Sequence, residues 1–209
     1  MRTWLVVAAE AREFSGILKR AAAVKSLDWP GAAFAREISW KGDRWLLVAN
    51  GPGKRLAAQV LETKREVDEI VNIGFCGALD PALRVGDIVY SPGQFWTADR
   101  VAITAAEKQR LYKRTGASVV EMECEAVETK AREWGVPFRS IKVVSDSASE
   151  DLPLDFNKHR DREGRFSRTR IAIAALRKPF RTIPGLLRLD RNCRLAADRL
   201  GAFLADSVL

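Results

Sequence analysis

Over its first 150 residues the chain alternates short β-branched apolar runs with amphipathic stretches, and this alternation narrows the possible folds more than any other feature. The predicted strands are Trp4–Ala9, Phe34–Trp40, Trp45–Ala49, Glu69–Ile73, Asp87–Ser91 and Phe138–Ser145. Helical spacing runs through Arg12–Ala23, with Phe14, Ile17, Leu18 and Ala21 on one face, and through Lys54–Glu66 and Glu121–Trp134. Such an order implies an α/β architecture. Lys41-Gly-Asp43 marks a hairpin turn, which makes the sheet mixed and counts against a plain doubly wound dinucleotide fold. A length of 209 residues fits one domain with a core able to fold unaided, read here as a 1–150 core and a 151–209 helical extension.

That extension differs in charge. Lys158–Arg199 holds thirteen Lys/Arg against four Asp/Glu, a net +9, whereas the whole chain is +8. Ser167–Lys178 is a basic amphipathic stretch ended by Pro179. A longer helix is predicted after Ile183-Pro-Gly185, with Leu186, Leu189, Cys193, Ala196, Leu200 and Phe203 on one face and Arg188, Arg191, Arg194 and Arg199 on the other. Two readings stay open: a terminal helix docked on the core with a solvated basic face, or a surface for acidic lipid or another anionic partner. Without a helix-turn-helix, zinc-finger or RNP signature, the charge alone does not imply nucleic-acid binding.

Composition closes off other chemistry. The one histidine, His159, sits in the polar stretch Asp155-Phe-Asn-Lys-His-Arg-Asp161, which leaves triad hydrolases and histidine-ligated metal sites poorly supplied. Three widely spaced cysteines, Cys76, Cys124 and Cys193, are expected as free thiols in a reducing, cytoplasmic compartment. No apolar run approaches the length of a membrane span.

Two acidic motifs stand where chemistry is expected: Val-Val-Glu121-Met122-Glu123-Cys124-Glu125 at a helix start, and Val-Val-Ser145-Asp146 at a strand end. Carboxylates in these places can converge on one pocket and serve glycosidic cleavage, one protonating the leaving group and another gripping the sugar. A helix N-terminus that favours Glu, and a capping Ser-Asp, are the plainer account. Asn50-Gly51-Pro-Gly53-Lys54 joins a strand to a helix, so its amides can face an anion or polar nucleophile, although it matches neither a P-loop nor a dinucleotide fingerprint. In Asn72-Ile-Gly-Phe-Cys-Gly-Ala-Leu-Asp80, Gly74 and Gly77 stand where backbone must pass close to something.

Taken in order, Gly-x-Gly-Lys, then Val-Asn-Ile-Gly-x-Cys-Gly-Ala-Leu-x-Pro-x-Leu-x-Val-Gly-Asp-Ile-Val, then Val-Glu-Met-Glu and Val-Ser-Asp, residues 1–150 resemble the purine nucleoside phosphorylase/methylthioadenosine nucleosidase superfamily. The resemblance implies a three-layer α/β/α fold around a mixed, partly barrel-like sheet, with no metal and no organic cofactor. It implies that Asp146 protonates the purine leaving group, with Ser145 orienting it. Glu123 and Met122 would hold the ribose, with Glu121 beside them, and Phe75, Cys76 and Gly77 would line the base and ribose pocket. Gly51, Gly53 and Lys54 would form the nucleophile or phosphate loop.

The phosphorylases place an arginine where this chain has Asn72, and a second in a Gly-Asp-x-x-Arg context absent here. Phosphate without an arginine clamp is poorly compensated, which favours hydrolysis. The nucleosidases position water with a Glu just after the first strand, a role the resemblance assigns to Glu10, or to Glu13 given the ambiguous spacing. Arg12, Lys54 and Arg55 keep open a phosphorylase with phosphate as co-substrate, and a non-catalytic nucleoside-binding protein is the reading from another class. A homo-oligomer is implied as well.

Between Ser91 and Val119 the chain has only Pro92-Gly-Gln-Phe-Trp-Thr-Ala-Asp-Arg-Val101 and a helix, where typical members insert a longer segment. Phe95 and Trp96 are the aromatics at hand to replace it, and the 5′ side is expected to be open. With Lys108 before Thr115-Gly116-Ala117, and the Leu-Pro, Gly-Arg and Pro-x-x-x-Ile-Pro-x-Leu-Leu-x-Leu elements of the tail, this pattern resembles the hopanoid-biosynthesis-associated branch, linked to removing adenine from adenosylhopane. A basic amphipathic tail meeting an anionic membrane would suit such a lipid-bearing nucleoside.

Overall fold

The computed structural model describes residues 1–91 and 94–207; Pro92 and Gly93 of the short connection lie outside the described residues. Strand β1 (Thr3–Ala8) is buried on both faces, as a near-continuous apolar run requires. Its alternate residues serve two cores. Trp4, Val6 and Ala8 pack with Phe14, Ile17, Ala196 and Leu200, whereas Leu5 and Val7 pack with Ala57, Leu61, Val127 and Trp134. The result is the α/β/α sandwich, with β1 in its middle layer.

Strands β2 (Val24–Ser26), β3 (Phe34–Trp40) and β4 (Asp43–Ala49) complete one side of the sheet. β3 and β4 form the expected hairpin, and Lys41 and Gly42 both take positive φ, 51° and 85°, as a tight two-residue turn demands. Helix α1 (Ser15–Leu18) is a single turn after a 3-10 turn at Ala11–Phe14, in place of the predicted helix to Ala23. Residues 19–23 lead from it into β2, with Ala21 packed against the core. Helix α2 stops at Gln59 (Lys54–Gln59) rather than at Glu66.

Strand β5 (Glu69–Ala78) is the pivot of the sheet. Its first residues pair in parallel with β1, and its last two, Gly77 and Ala78, pair antiparallel with β8 (Val119–Glu121). Along its other edge lies β9 (Phe138–Asp146), which also pairs with β6 (Ile88–Tyr90). β7 (Phe95–Thr97) extends the sheet beyond β8. Among the described residues nine strands form one mixed sheet, curled where β5 changes partner.

Helix α3 (Ala105–Thr115) is capped by Thr104 and ends on Gly116 at φ 69°. Helix α4 begins at Cys124 (Cys124–Trp134), because Glu121 belongs to β8 and not to the helix. Helix α5 (Arg168–Arg177) ends before Pro179 as predicted. Helix α6 (Pro179–Asp206) starts at Pro179 and continues through Pro184, whose missing N–H falls in an exposed second turn where water can serve the freed carbonyl. Its later residues Ala196, Leu200 and Leu204 sit in the same core as β1. There α6 crosses α1 at backbone contact: a Cβ on Gly16 would lie 1.9 Å from the Ala197 carbonyl, and one on Gly201 would lie 2.3 Å from Gly16. All three cysteines are buried and free.

Candidate active site

Parallel strands β1, β4, β5 and β9 end on the same side of the sheet, where open α/β sheets bind ligands. A cleft of about 390 Å³ opens there. Its polar end carries Glu10, Arg12, Glu13, Glu121, Glu123, Ser145 and Asp146, with Phe75, Cys76 and Gly77 on the wall.

Asp146 reaches the cleft through a register slip. Cys76 pairs with Val144 but Gly77 pairs with Asp146, so Ser145 is an extra residue that re-aims the strand end. The Ser145 hydroxyl lies 2.7 Å from Asp146 Oδ1, as an orienting group should. Opposite, the buried Lys108 ammonium donates to Asp146 Oδ2 at 2.5 Å.

Glu13, the alternative to Glu10, is the more deeply placed acid. Its Oε1 accepts from the Phe75 amide at 2.6 Å and its Oε2 from the Glu10 amide at 2.7 Å. Burial, reinforced by Glu123, raises its carboxyl to about 7. Gly74 makes room for it: at φ 137° it has no Cβ, and one built there would lie 2.5 Å from Glu13 Oε1. Glu10 instead lies at the rim, 2.6 Å from the Arg12 guanidinium.

The two glutamates of the third motif divide. Glu121 Oε2 accepts from the amides of Glu123 and Cys124, both at 2.8 Å, and Oε1 accepts from Thr97, so its oxygens are spent on starting α4 and on holding the end of β7. Glu123 Oε1 accepts from the Gly53 amide at 2.8 Å. Burial lifts the Glu123 carboxyl above the usual range, against the pull of Lys142 and with Glu121 adding to the rise. Met122 is buried beside it.

Lys142 is a residue that the motifs did not single out. Its ammonium, buried behind the cleft, lies 3.4 Å from Glu121 and 3.5 Å from Glu123 and has no hydrogen-bond partner among the described residues. Burial works against its charge, but Glu121, Glu123 and Glu13 outweigh it and hold the ammonium above the ordinary lysine range. One cation thus compensates three carboxylates.

Several expected contacts fall elsewhere. The Gly51 amide donates to the Ala9 carbonyl at 2.7 Å and the Gly53 amide to Glu123, so the loop's donors serve the protein rather than an incoming anion. Lys54 pairs with Glu125 at 2.7 Å and with Asp99 at 3.3 Å, and Arg55 bonds the Glu163 carbonyl. Asn72 is buried in β5, its side chain tied to the Val7 carbonyl at 3.1 Å. Phe95 and Trp96 form β7 and do not line the cleft, whose further aromatics are Phe156 and Phe166. Burial pushes the Cys76 thiol well up, which leaves a neutral wall and not a nucleophile.

The rest of the cleft lining is mainly apolar, from Val101, Leu152, Phe156, Phe166, Ile171, Leu186 and Leu189, with Arg100, Arg168 and Asp190 among them. The amphipathic tail therefore builds one end of the site, a role its pattern shared with any docked helix.

The same architecture recurs in solved enzymes. The 5′-methylthioadenosine-bound MTAN mutant of Helicobacter pylori superposes with a TM-score of 0.72 at 13% identity, covering 98% of this chain and 96% of that one. Native futalosine hydrolase of H. pylori gives 0.71 at 14%, over 97% and 95%. The S-adenosylhomocysteine nucleosidase of Streptococcus pyogenes gives 0.69 at 16%, over 100% and 98%. At such identities these likenesses speak for the fold. The phosphorylase superfamily model, however, matches residues 6–92 and 88–177, most of the chain. The protein therefore belongs to the phosphorylase superfamily, whose nucleosidases and phosphorylases cleave N-glycosidic bonds.

Proposed function

We propose that the protein is a purine-nucleoside N-ribosyl hydrolase whose substrate is an adenosine with a bulky apolar 5′ substituent, adenosylhopane-like in kind. The observation that carries this reading is Glu13: a buried carboxyl fixed by two backbone amides and raised to about 7, within the polar end of the cleft that also holds Asp146 and Glu123. A general base works best with a pKa near the operating pH. Asp146 protonates the departing base, Glu123 accepts from the ribose hydroxyls, and Glu13 takes the proton of the attacking water. The apolar half of the cleft takes the 5′ substituent.

Phosphorolysis is the second reading, favoured by Arg12 at the rim of the same cleft. Lys54 and Arg55, the other cations available for phosphate, are engaged elsewhere. Base release from methylthioadenosine, adenosylhomocysteine, inosine and a 5′-long-alkyl adenosine, each with and without phosphate, tests the proposal. Free sugar independent of phosphate, with the alkyl substrate preferred, supports it. A sugar 1-phosphate shifts the reading to phosphorolysis, and no release from any of them leaves a binding protein.

The proposal extends to peripheral contact with an anionic membrane. On the outer side of α5 and α6, Phe180 is 97% exposed, Leu176 69% and Leu187 60%, among Arg177, Lys178 and Arg181. These cations form no ion pair among the described residues. Exposed apolar side chains within a basic rim fit an interfacial surface. Among the described residues no helix is long and apolar enough to cross a membrane.

A further inference from the structure

Asp146 does not stand alone at the end of β9. Lys108, fully buried, reaches it from the second turn of α3 and donates to Asp146 Oδ2 at 2.5 Å, to the Ser147 carbonyl at 2.7 Å and to the Glu150 carbonyl at 3.1 Å. Three acceptors use all three ammonium hydrogens. Lys108 does not line the cleft, so it meets a substrate only through Asp146.

The helix is built to deliver it. Thr104 caps α3 through the Glu107 amide, and Glu107 Oε2 in turn accepts from the Ile103 amide at 2.9 Å. This fixes the first turn and the lysine that follows. A buried ion pair stabilises a fold little better than apolar side chains of equal volume. Fold stability is therefore a weak reason for a lysine here, and the chemistry at Asp146 is a stronger one.

We propose that Lys108 is a positioning residue for the leaving-group acid, and that the Lys108–Asp146 pair, sharing one transferable proton, protonates the departing base. This rests on the nucleosidase reading. As the C1′–N9 bond breaks, its electron pair goes to the base. A hydrogen on Lys108 Nζ moves to the Asp146 carboxylate, and the carboxyl hydrogen moves to a base nitrogen. Water then bonds to C1′ and gives its proton to Glu13. Lys108 is left as a neutral amine and Glu13 protonated; when the products leave, solvent returns a proton to the first and takes one from the second. No other reactant is needed. Ser145, at Asp146 Oδ1, holds the other oxygen during the transfer.

The test compares the wild type, Lys108→Met, Lys108→Gln and Asp146→Asn on two substrates. One is the nucleoside that the wild type cleaves best; the other is its N7-methylated counterpart, whose base departs without needing a proton. Loss of a positioned acid costs about 10²- to 10⁴-fold. Lys108→Met is expected to lose at least about a hundredfold in kcat on the first substrate and less than about fivefold on the second, in parallel with Asp146→Asn. Equal losses on both substrates would assign Lys108 a structural role and overturn the proposal. Should Lys108→Met lack a cooperative melt, Lys108→Gln, which keeps hydrogen bonds to the carbonyls, decides by the same comparison. Wild-type protein that releases no base from any nucleoside defeats the underlying reading as well, an outcome distinct from equal losses.

Discussion

Glu13 occupies the space that a side chain at position 74 would fill: a Cβ on Gly74 would stand 2.5 Å from Glu13 Oε1, on backbone at φ 137°. Only glycine accepts both the conformation and the contact. Gly74→Ala is expected to displace the carboxylate, lowering kcat at least tenfold, and to cost about 1–3 kcal/mol of stability through backbone strain. Steady-state kinetics and a denaturant melt check both; wild-type kinetics in this variant would show that Glu13 is not held for catalysis.

The Glu13 carboxyl, raised to about 7, sets a pH dependence. A base acts in its ionised form, and the ionised fraction grows as pH rises through the pKa. Turnover should therefore climb about tenfold per unit below pH 7 and level off above about pH 8. Glu13→Gln should remove that limb and cost about a hundredfold or more, whereas Glu10→Gln, at the half-buried rim, should stay within about threefold. The opposite ranking would return the role to Glu10.

Asp146→Asn keeps the shape of the side chain but cannot pass a proton to the base. Turnover is expected to fall by about 10²- to 10⁴-fold, with the Kd for an uncleavable nucleoside analogue changed only a few-fold. Glu123→Ala should weaken both binding and turnover, since the ribose contact acts in the ground state and the transition state alike. Calorimetric titration separates the two effects.

Much of the fold was legible because buried strands write themselves as apolar runs. β3 matched its predicted bounds, and β4 and β9 ended within two residues of them. The misses share a physical cause. β2, β7 and β8 are three-residue strands, too short for a local period to mark them. The helix predicted from Arg12 opens as a 3-10 turn and stops at Leu18, and the backbone-distance contact of Gly16 with α6 is a tertiary demand invisible to spacing.

In the site, the motif order pointed to Asp146, Ser145 and Glu123, but it could not say which way a carboxylate turns. Glu121 looked like its neighbour Glu123 until β8 placed it beneath the amides of α4. The choice between Glu10 and Glu13 depended on a 3-10 turn too short to show a period. Lys142 read as one more residue of a β-strand, since a lone charge inside an apolar run carries no label of the three acids around it.

The α5–α6 surface predicts salt-sensitive binding to lipid. The protein should sediment with phosphatidylglycerol-containing vesicles and not with purely phosphatidylcholine ones, and high salt should weaken the binding. Phe180→Ser with Leu176→Ser should reduce binding even at low salt, without changing cleavage of a water-soluble nucleoside. Equal sedimentation of this double variant and the wild type would remove the surface from the proposal.

The contact between Gly16 and Gly201 ties together two segments that lie far apart in the sequence. The turn bearing Glu13 is clamped by a helix that a ribosome makes only after every strand is complete. On synthesis the residues of all nine described strands are thus made before those of the helix that backs the Glu13 turn, so the sheet can pair before that carboxylate is clamped.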